Sequence, residues 1–168
     1  MTAQLVFAYP GDLSTRTGGY GYDRRMIAGL EAFGWDVELL ALGDGFPEPA
    51  SAVKQNAERL LSALPDGALV MIDGLAFGIL DDWAAREAAR LRIVALVHHP
   101  LALETGLGAD RQAVLQESEH KALSFARHIV VTSPETGREV ESRFSIPADD
   151  ITVALPGTDP APVSACDG

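Results

Sequence analysis

Two adjacent histidines, His98 and His99, follow an apolar run at residues 93–97 that is typical of a buried strand. Imidazole can donate or accept a hydrogen bond and changes its charge near neutral pH, so either side chain could contact a ligand. Successive side chains of an extended segment point to opposite sides. We therefore expect at most one histidine to face a cleft. The alternative is one buried and one solvated histidine without a ligand.

A metal site at this histidine pair would need a third ligand at a suitable spacing. The two remaining histidines, His120 and His128, do not stand at such a spacing from the pair. No Ser-His-Asp or Cys-His arrangement has an order that favours nucleophilic catalysis. The sequence therefore predicts no metal site and no protein nucleophile.

Two glycines, Gly18 and Gly19, follow the first apolar run and precede a helical pattern. They would allow a tight turn, so that a ligand could approach backbone N–H groups where the helix begins; such an end attracts anions by about 0.3–1 kcal/mol. Arg24 stands where a dinucleotide fingerprint has its third glycine, and no Gly-Lys-Ser/Thr follows as in a phosphate-binding loop. A plain turn before a helix explains the glycines equally well.

Four other polar residues are weaker candidates. Asp73 ends a predicted strand, where it could face a ligand or simply form a turn. Ser133 before a proline is explained by helix capping. Glu117 and Glu119 are expected on a solvated helix face.

The elements that must position these residues alternate along the chain. Short, continuously apolar runs separated by amphipathic helical patterns predict a doubly wound, Rossmann-like α/β domain with a parallel sheet covered on both faces. In such sheets ligands bind at the carboxyl ends of the strands. The predicted strands are 5–9, 37–42, 68–72, 93–97, 129–131 and 151–155, and the later helices are about 51–64, 79–90, 110–126 and 134–144.

The first predicted helix has Met26, Ile27, Leu30 and Phe33 on one face and ends at Gly34. This spacing is what an amphipathic helix needs to pack on a sheet. Ser51 is predicted to cap the second helix.

Composition limits the classes of partner. Of 168 residues, 13 are Lys or Arg and 24 are Asp or Glu, giving a formal net charge of −11. This balance disfavours nucleic acids and anionic membrane surfaces. No run approaches the ~20 apolar residues of a membrane span. One cysteine and no signal-peptide pattern favour a cytoplasmic location.

Several short motifs, in order, resemble the N-terminal domain of the retaining, GT-B-fold glycosyltransferases of the family 4 type. Residues 17–19 look like that family's acceptor-side glycine loop, and His98 lies where the family often places a histidine that touches the sugar. Residues 117–133 are similar to its helix followed by a strand ending in Ser. Residues 155–160 look like the stretch that ends its N-terminal domain. The resemblance covers most of the chain.

The resemblance implies that residues 1–155 are the acceptor-side domain and that 156–168 are a linker. Transfer would run from a nucleotide-sugar donor to a hydroxyl of an acceptor sugar or similar compound, with no cofactor, and the departing phosphate would help to deprotonate that hydroxyl. His98 would orient a sugar hydroxyl, and Gly18 and Gly19 would offer N–H groups. His99 and Glu104 are further candidates for substrate binding.

The family holds the donor mainly through a C-terminal domain with a Glu-x7-Glu motif. No two glutamates here have that spacing. We therefore expect the donor-binding half to be absent and this half to be inactive alone. Two alternatives stay open: an NAD-type Rossmann domain, against which the missing third glycine argues, and a non-catalytic ligand-binding or regulatory module.

Overall fold

A computed structural model describes residues 2–158 of the chain. Its centre is one six-stranded sheet with the strand order β2-β1-β3-β4-β5-β6, and every neighbouring pair is parallel. The strands are β1 (Gln4–Tyr9), β2 (Asp36–Ala41), β3 (Leu69–Asp73), β4 (Arg92–Val97), β5 (His128–Val131) and β6 (Ile151–Val153). The α/β, Rossmann-like fold predicted from the sequence is confirmed.

Six α-helices and two short 3₁₀ turns connect the strands within residues 2–158. The helices are α1 (Gly18–Ala32), α2 (Ser51–Ser62), α3 (Gly74–Phe77), α4 (Asp81–Glu87), α5 (Ala109–Ser124) and α6 (Pro134–Phe144). The 3₁₀ turns are Leu101–Leu103 and Ala148–Asp150. None of the helices described has the length and apolar character needed to cross a membrane.

The two faces of the sheet are covered unequally. One face packs against α1 through Ile27 and contributes Leu5, Phe7, Met71 and Leu96. The other face carries the larger core, to which the remaining long helices add Ala57, Leu61, Trp83, Ala122, Leu123, Val140 and Phe144. The strands alternate between these layers, because successive side chains of a strand point to opposite faces.

Several predicted ends of helices and strands are wrong for local reasons. Phe33 does not pack on the sheet; it is 88% exposed, because α1 ends at Ala32 and the chain turns away at Gly34 with φ of 86°. Ser51 is the first residue of α2 and not its cap, which is Ala50. The predicted last strand ends at Val153 and not at residue 155.

The helix expected at 79–90 is two helices, and the first begins directly after β3. The carboxylate of Asp73 accepts a hydrogen bond from Leu75 N and so starts α3 at the strand's end. The chain then bends at Gly78, where a Cβ would lie 2.5 Å from Leu101 Cδ1. By contrast, Ser133 caps α6 with Pro134 as its first residue, as predicted.

The expected linker at 156–168 lies mostly outside the described residues. Pro156, Gly157 and Thr158 are exposed and belong to neither helix nor strand.

Candidate functional site

The strand order places a crevice between β1 and β3. The chain leaves β1 to form β2 on one side and returns to form β3 on the other, which makes a topological switch point at the carboxyl ends of these strands. A cavity of about 540 Å³ lies there. Its lining residues are Thr17, Gly19, Tyr20, Asp73, Leu75, His98, His99 and Glu104. Four of the five residues predicted for the site therefore line one cavity.

The fifth, Gly18, lies beside this cavity in a separate groove. That groove also has a volume of about 540 Å³, but its walls are mainly apolar and run between α1 and the segment after β6. The two cavities share no lining residue.

Strand register explains why Asp73 and His98 meet. Asp73 pairs with Leu96, and Leu96 packs in the layer against α1. Residues two apart on a strand share a face. His98, two residues beyond Leu96, therefore emerges on the side of α1, next to Asp73. His98 Nε2 lies 3.7 Å from Asp73 Oδ2.

The closest partner of His98 comes from α1. His98 Nε2 lies 2.9 Å from Asp23 Oδ1, and the imidazole meets the ring of Tyr22 edge-on, with centroids 5.3 Å apart and planes at 89°. Asp23 is fully buried, and no N–H or hydroxyl group of the described residues donates to its second oxygen, Oδ2. The histidine ring is thus held on two sides by α1.

Asp23 is the functional candidate that the sequence reasoning missed. A signal was available: Asp23 stands four residues before Ile27, on the face of α1 that the apolar residues mark as buried. A carboxylate on such a face is almost never fully buried unless it is paired.

Three hydrogen bonds fix the first turns of α1 and therefore the position of Asp23. Thr17 caps the helix by accepting a hydrogen bond from Tyr20 N. The Tyr20 hydroxyl donates to Pro10 O at 2.8 Å, and the Tyr22 hydroxyl donates to Ala154 O at 2.7 Å. These bonds tie α1 to the ends of β1 and β6, so the buried carboxylate has a defined position.

The environment shifts the acid–base behaviour of the cluster. Burial, and then the neighbouring charge of Asp23, raises the pKa of Asp73 to about 7. For His98, burial acts to lower the pKa, but the hydrogen bond to Asp23 and the charges of Asp73 and Asp23 outweigh it, so the pKa is raised. Both shifts come from placing two carboxyl groups and an imidazole together out of water.

His99 and Glu104 are exposed and stand at the rim of the cavity. Both histidines border the cavity, but only His98 reaches the buried carboxylates, whereas His99 is exposed to solvent. The backbone after β4 is held by hydroxyls: Thr132 and Thr136 each approach His98 O at 3.4 Å.

Gly18 and Gly19 do not form the predicted tight turn; they are the first two residues of α1. A Cβ on either would meet no atom within 4 Å. The turn with a left-handed residue is at Gly11, where φ is 67° and a Cβ would lie 2.4 Å from the Tyr20 hydroxyl oxygen. The space beside Gly19, where a side chain would project, is therefore open at the edge of the cavity.

The prediction for Glu119 is also wrong. This side chain is 1% exposed and accepts a hydrogen bond from Leu101 N at 2.8 Å. Burial raises the pKa of Glu119 to about 7, partly opposed by that bond. Glu119 thus fixes the loop that carries the cavity rim, whereas Glu117 is exposed as expected.

Asp23, Asp73 and His98 also have the composition of a metal-binding set. One ligand atom from each lies within 4.8 Å of the others. No sequence motif marks this set, because Asp23 and His98 are 75 residues apart.

Comparison with known proteins agrees with this architecture. The family model for Glycosyltransferase Family 4 matches residues 24–162. The match includes Asp73, His98, His99 and Glu104, and it starts just after Asp23. No curated protein matches the chain.

Proposed function

This chain belongs to glycosyltransferase family 4, and from that premise we propose that it is the acceptor-binding domain of a retaining, GT-B-type hexosyltransferase. The donor would be a nucleotide-sugar, and the acceptor would be a sugar or another compound with a free hydroxyl. The observation that carries the proposal is the cavity at the β1–β3 switch point, with His98 fixed at its floor by the buried Asp23.

The charge of the cavity supports an acceptor and argues against a nucleotide diphosphate. No Lys or Arg is among its lining residues, whereas Asp73 and Glu104 are. Burial raises the pKa of the Tyr20 hydroxyl, and so do the charges of four nearby aspartates. These aspartates are Asp73, Asp23, Asp44 and Asp12. Lys and Arg are the side chains that bind a pyrophosphate, and none lines this cavity, so its carboxyl groups disfavour that ligand. The donor would therefore be held outside this cavity.

The proposed reaction forms a bond between the acceptor hydroxyl oxygen and the anomeric carbon of the donor sugar. The bond from that carbon to the donor phosphate breaks, and the hydroxyl proton passes to the departing phosphate on the same face. His98 has Nε2 engaged by Asp23, so a hydroxyl in the cavity would meet the remaining ring nitrogen, Nδ1. The role of His98 is to orient that hydroxyl, and it would speed the reaction by holding the acceptor in position.

The proposal is tested by titrating the ¹⁵N-labelled chain with glucose or mannose and, separately, with uridine diphosphate or guanosine diphosphate. The neutral sugars should shift the amide signals of Gly19, His98, His99 and Glu104, and the nucleotides should not. Cavity signals that respond to the nucleotides but to neither sugar would overturn the assignment to the acceptor. An absence of shifts with either sugar would also contradict it.

A further inference from the structure

Two buried carboxyl groups, those of Asp23 and Asp73, face the same imidazole nitrogen. Asp23 is 0% exposed and Asp73 is 2% exposed. His98 Nε2 lies 2.9 Å from Asp23 Oδ1 and 3.7 Å from Asp73 Oδ2. The three groups come from separate elements, which are α1, the end of β3 and the segment after β4, so the packing of the fold is what brings them together.

The two carboxyl groups are also hydrogen-bonded to each other. An ionised carboxylate can only accept a hydrogen bond, so this contact requires a proton on one of the two groups. No N–H or hydroxyl group within residues 2–158 donates to Asp23 Oδ2, which leaves a proton shared with Asp73 to satisfy that oxygen. Burial, and then the charge of Asp23, raises the pKa of Asp73 to about 7, as expected for the member of the pair that holds the proton.

One proton on the pair leaves a single negative charge out of water, and His98 is placed to balance it. Its Nε2 donates to Asp23 Oδ1, and a proton on Nδ1 as well makes the ring an imidazolium. The ring also meets Tyr22 edge-on, but the Tyr22 hydroxyl donates to Ala154 O and supplies no charge. The cavity lining contains no Lys or Arg that could balance the pair instead.

We propose that Asp23 and Asp73 are positioning residues that share one proton and hold His98 as an imidazolium, whose Nδ1–H is offered to the acceptor as a hydrogen-bond donor. The identity of the group that Nδ1–H meets rests on the proposed function, whereas the protonation of the cluster does not.

This arrangement defines what His98 can do for an acceptor. An imidazolium has no free nitrogen lone pair, so it cannot remove the proton of the hydroxyl. Its Nδ1–H would donate to a lone pair of the hydroxyl oxygen, and the hydroxyl proton would stay available to the departing phosphate. The pKa of His98 is raised by the hydrogen bond to Asp23 and by both carboxyl charges, against the effect of burial. The donor is therefore complete at low pH and is lost as pH rises through this raised pKa.

NMR of the chain labelled with ¹⁵N and ¹³C tests the protonation without any sugar. The imidazole ¹⁵N signals of His98 report which ring nitrogens carry protons, and the carboxyl ¹³C signals report the titration of Asp73. We expect Asp73 to titrate near pH 7 and His98 to keep both ring protons to a pH above 6.5, the ordinary value for histidine. Added glucose or mannose should shift the Nδ1 signal and leave its proton in place.

Asp23→Asn separates the charge of Asp23 from its hydrogen bond, because asparagine keeps an oxygen that can accept from Nε2. This change should lower the pKa of His98 by about 1–3, the range for an opposite charge within about 4–6 Å. It should also lower the pKa of Asp73 toward 3.8. Asp44→Asn is the matched control, since the charge of Asp44 acts on Tyr20 but is not among the causes that shift His98. The control should leave both titrations as in the wild type.

Three results would overturn the proposal. One is a wild-type Asp73 that titrates near 3.8, because the pair would then share no proton. Another is an unchanged pKa of His98 in Asp23→Asn, which would reduce Asp23 to a structural partner. The third is a ring that loses its Nδ1 proton when sugar binds, which would make His98 an acceptor. If Asp23→Asn does not fold, Asp73→Asn and the wild-type titration decide. The first two results are independent of sugar binding, so they are distinguishable from a failure of the acceptor assignment.

Discussion

Two buried acidic sites in this molecule differ in how their charge is balanced. At the carboxyl edge of the sheet, Asp23 and Asp73 share an imidazole from a third element and border a cavity. On the other side, Glu119 of α5 has one backbone partner, Leu101 N, and no charged partner among the hydrogen bonds of the described residues. Several converging groups are what a ligand site requires, whereas one carboxyl with one N–H is sufficient to hold a loop.

The difference also concerns protonation. Glu119 is about half protonated at pH 7 because burial raises its pKa to about 7. At the sheet edge, burial acts to lower the pKa of His98, but the hydrogen bond to Asp23 and the charges of Asp73 and Asp23 raise it, so the imidazole holds its positive charge to higher pH.

The largest effect concerns Glu119 and the pH dependence of folding. Its native pKa of about 7 lies above the ordinary value of 4.5 for a glutamate, so the native state holds this proton more tightly than the unfolded state. The stabilisation is complete below about pH 4.5 and is lost as pH rises through about 7. The total loss is about 3 kcal/mol, at 1.36 kcal/mol per unit of pKa.

Urea unfolding between pH 4.5 and 8 measures this loss. Glu119→Gln keeps an acceptor oxygen for Leu101 N but cannot ionise, so its free energy of unfolding should fall less with pH than that of the wild type. Glu117→Gln, an exposed neighbour on the same helix, is the matched control and should follow the wild type. Identical pH slopes for Glu119→Gln and wild type would mean that Glu119 does not anchor the loop as a neutral carboxyl.

The next effect concerns His98 and His99 in the proposed sugar transfer. A hydrogen bond from His98 to an acceptor hydroxyl that tightens in the transition state is worth on the order of 1–3 kcal/mol. His98→Ala should therefore lower turnover by about ten- to a hundredfold without unfolding the domain. His99→Ala should reduce it by no more than about threefold, a limit set by its exposed position at the rim.

Steady-state kinetics with a nucleotide-sugar donor, together with thermal unfolding of each variant, checks this comparison. Equal small losses in both variants would show that neither imidazole contacts the acceptor. A greater loss for His99→Ala would make the rim, and not the floor, the site of contact.

The smallest effect on the fold is expected at Gly19. A Cβ there meets no atom within 4 Å, so Gly19→Val should change the free energy of unfolding by less than about 0.5 kcal/mol, as surface substitutions usually do. The added side chain would enter the space beside the cavity and raise the KM for the acceptor, by about tenfold if it displaces one good contact. Gly29→Val, where a Cβ likewise meets no atom within 4 Å, controls for placing a β-branched residue in this helix. An unchanged KM would mean that the acceptor does not approach the start of α1.

Much of the fold could be predicted from the sequence because it depends on local patterns. Apolar runs, helical spacing and the Ser133-Pro134 cap each act over a few residues, and they predicted six strands in a parallel sheet. The carboxyl-end rule then identified His98 and His99 as residues near a ligand, and the family resemblance added Glu104; the structure brings all three to one cavity.

The tertiary structure decided which carboxylates are buried and with what partners. Asp23 meets His98 across 75 positions, and Glu119 meets Leu101 across 18. The spacing of Asp23 from Ile27 indicates a buried position, but neither contact leaves a local pattern, because each partner lies on a distant element. The sequence determined where the sheet edge and its histidines lie. The packing of α1 and α5 alone determined which charged groups surround those histidines, since burial and pairing depend on distant elements.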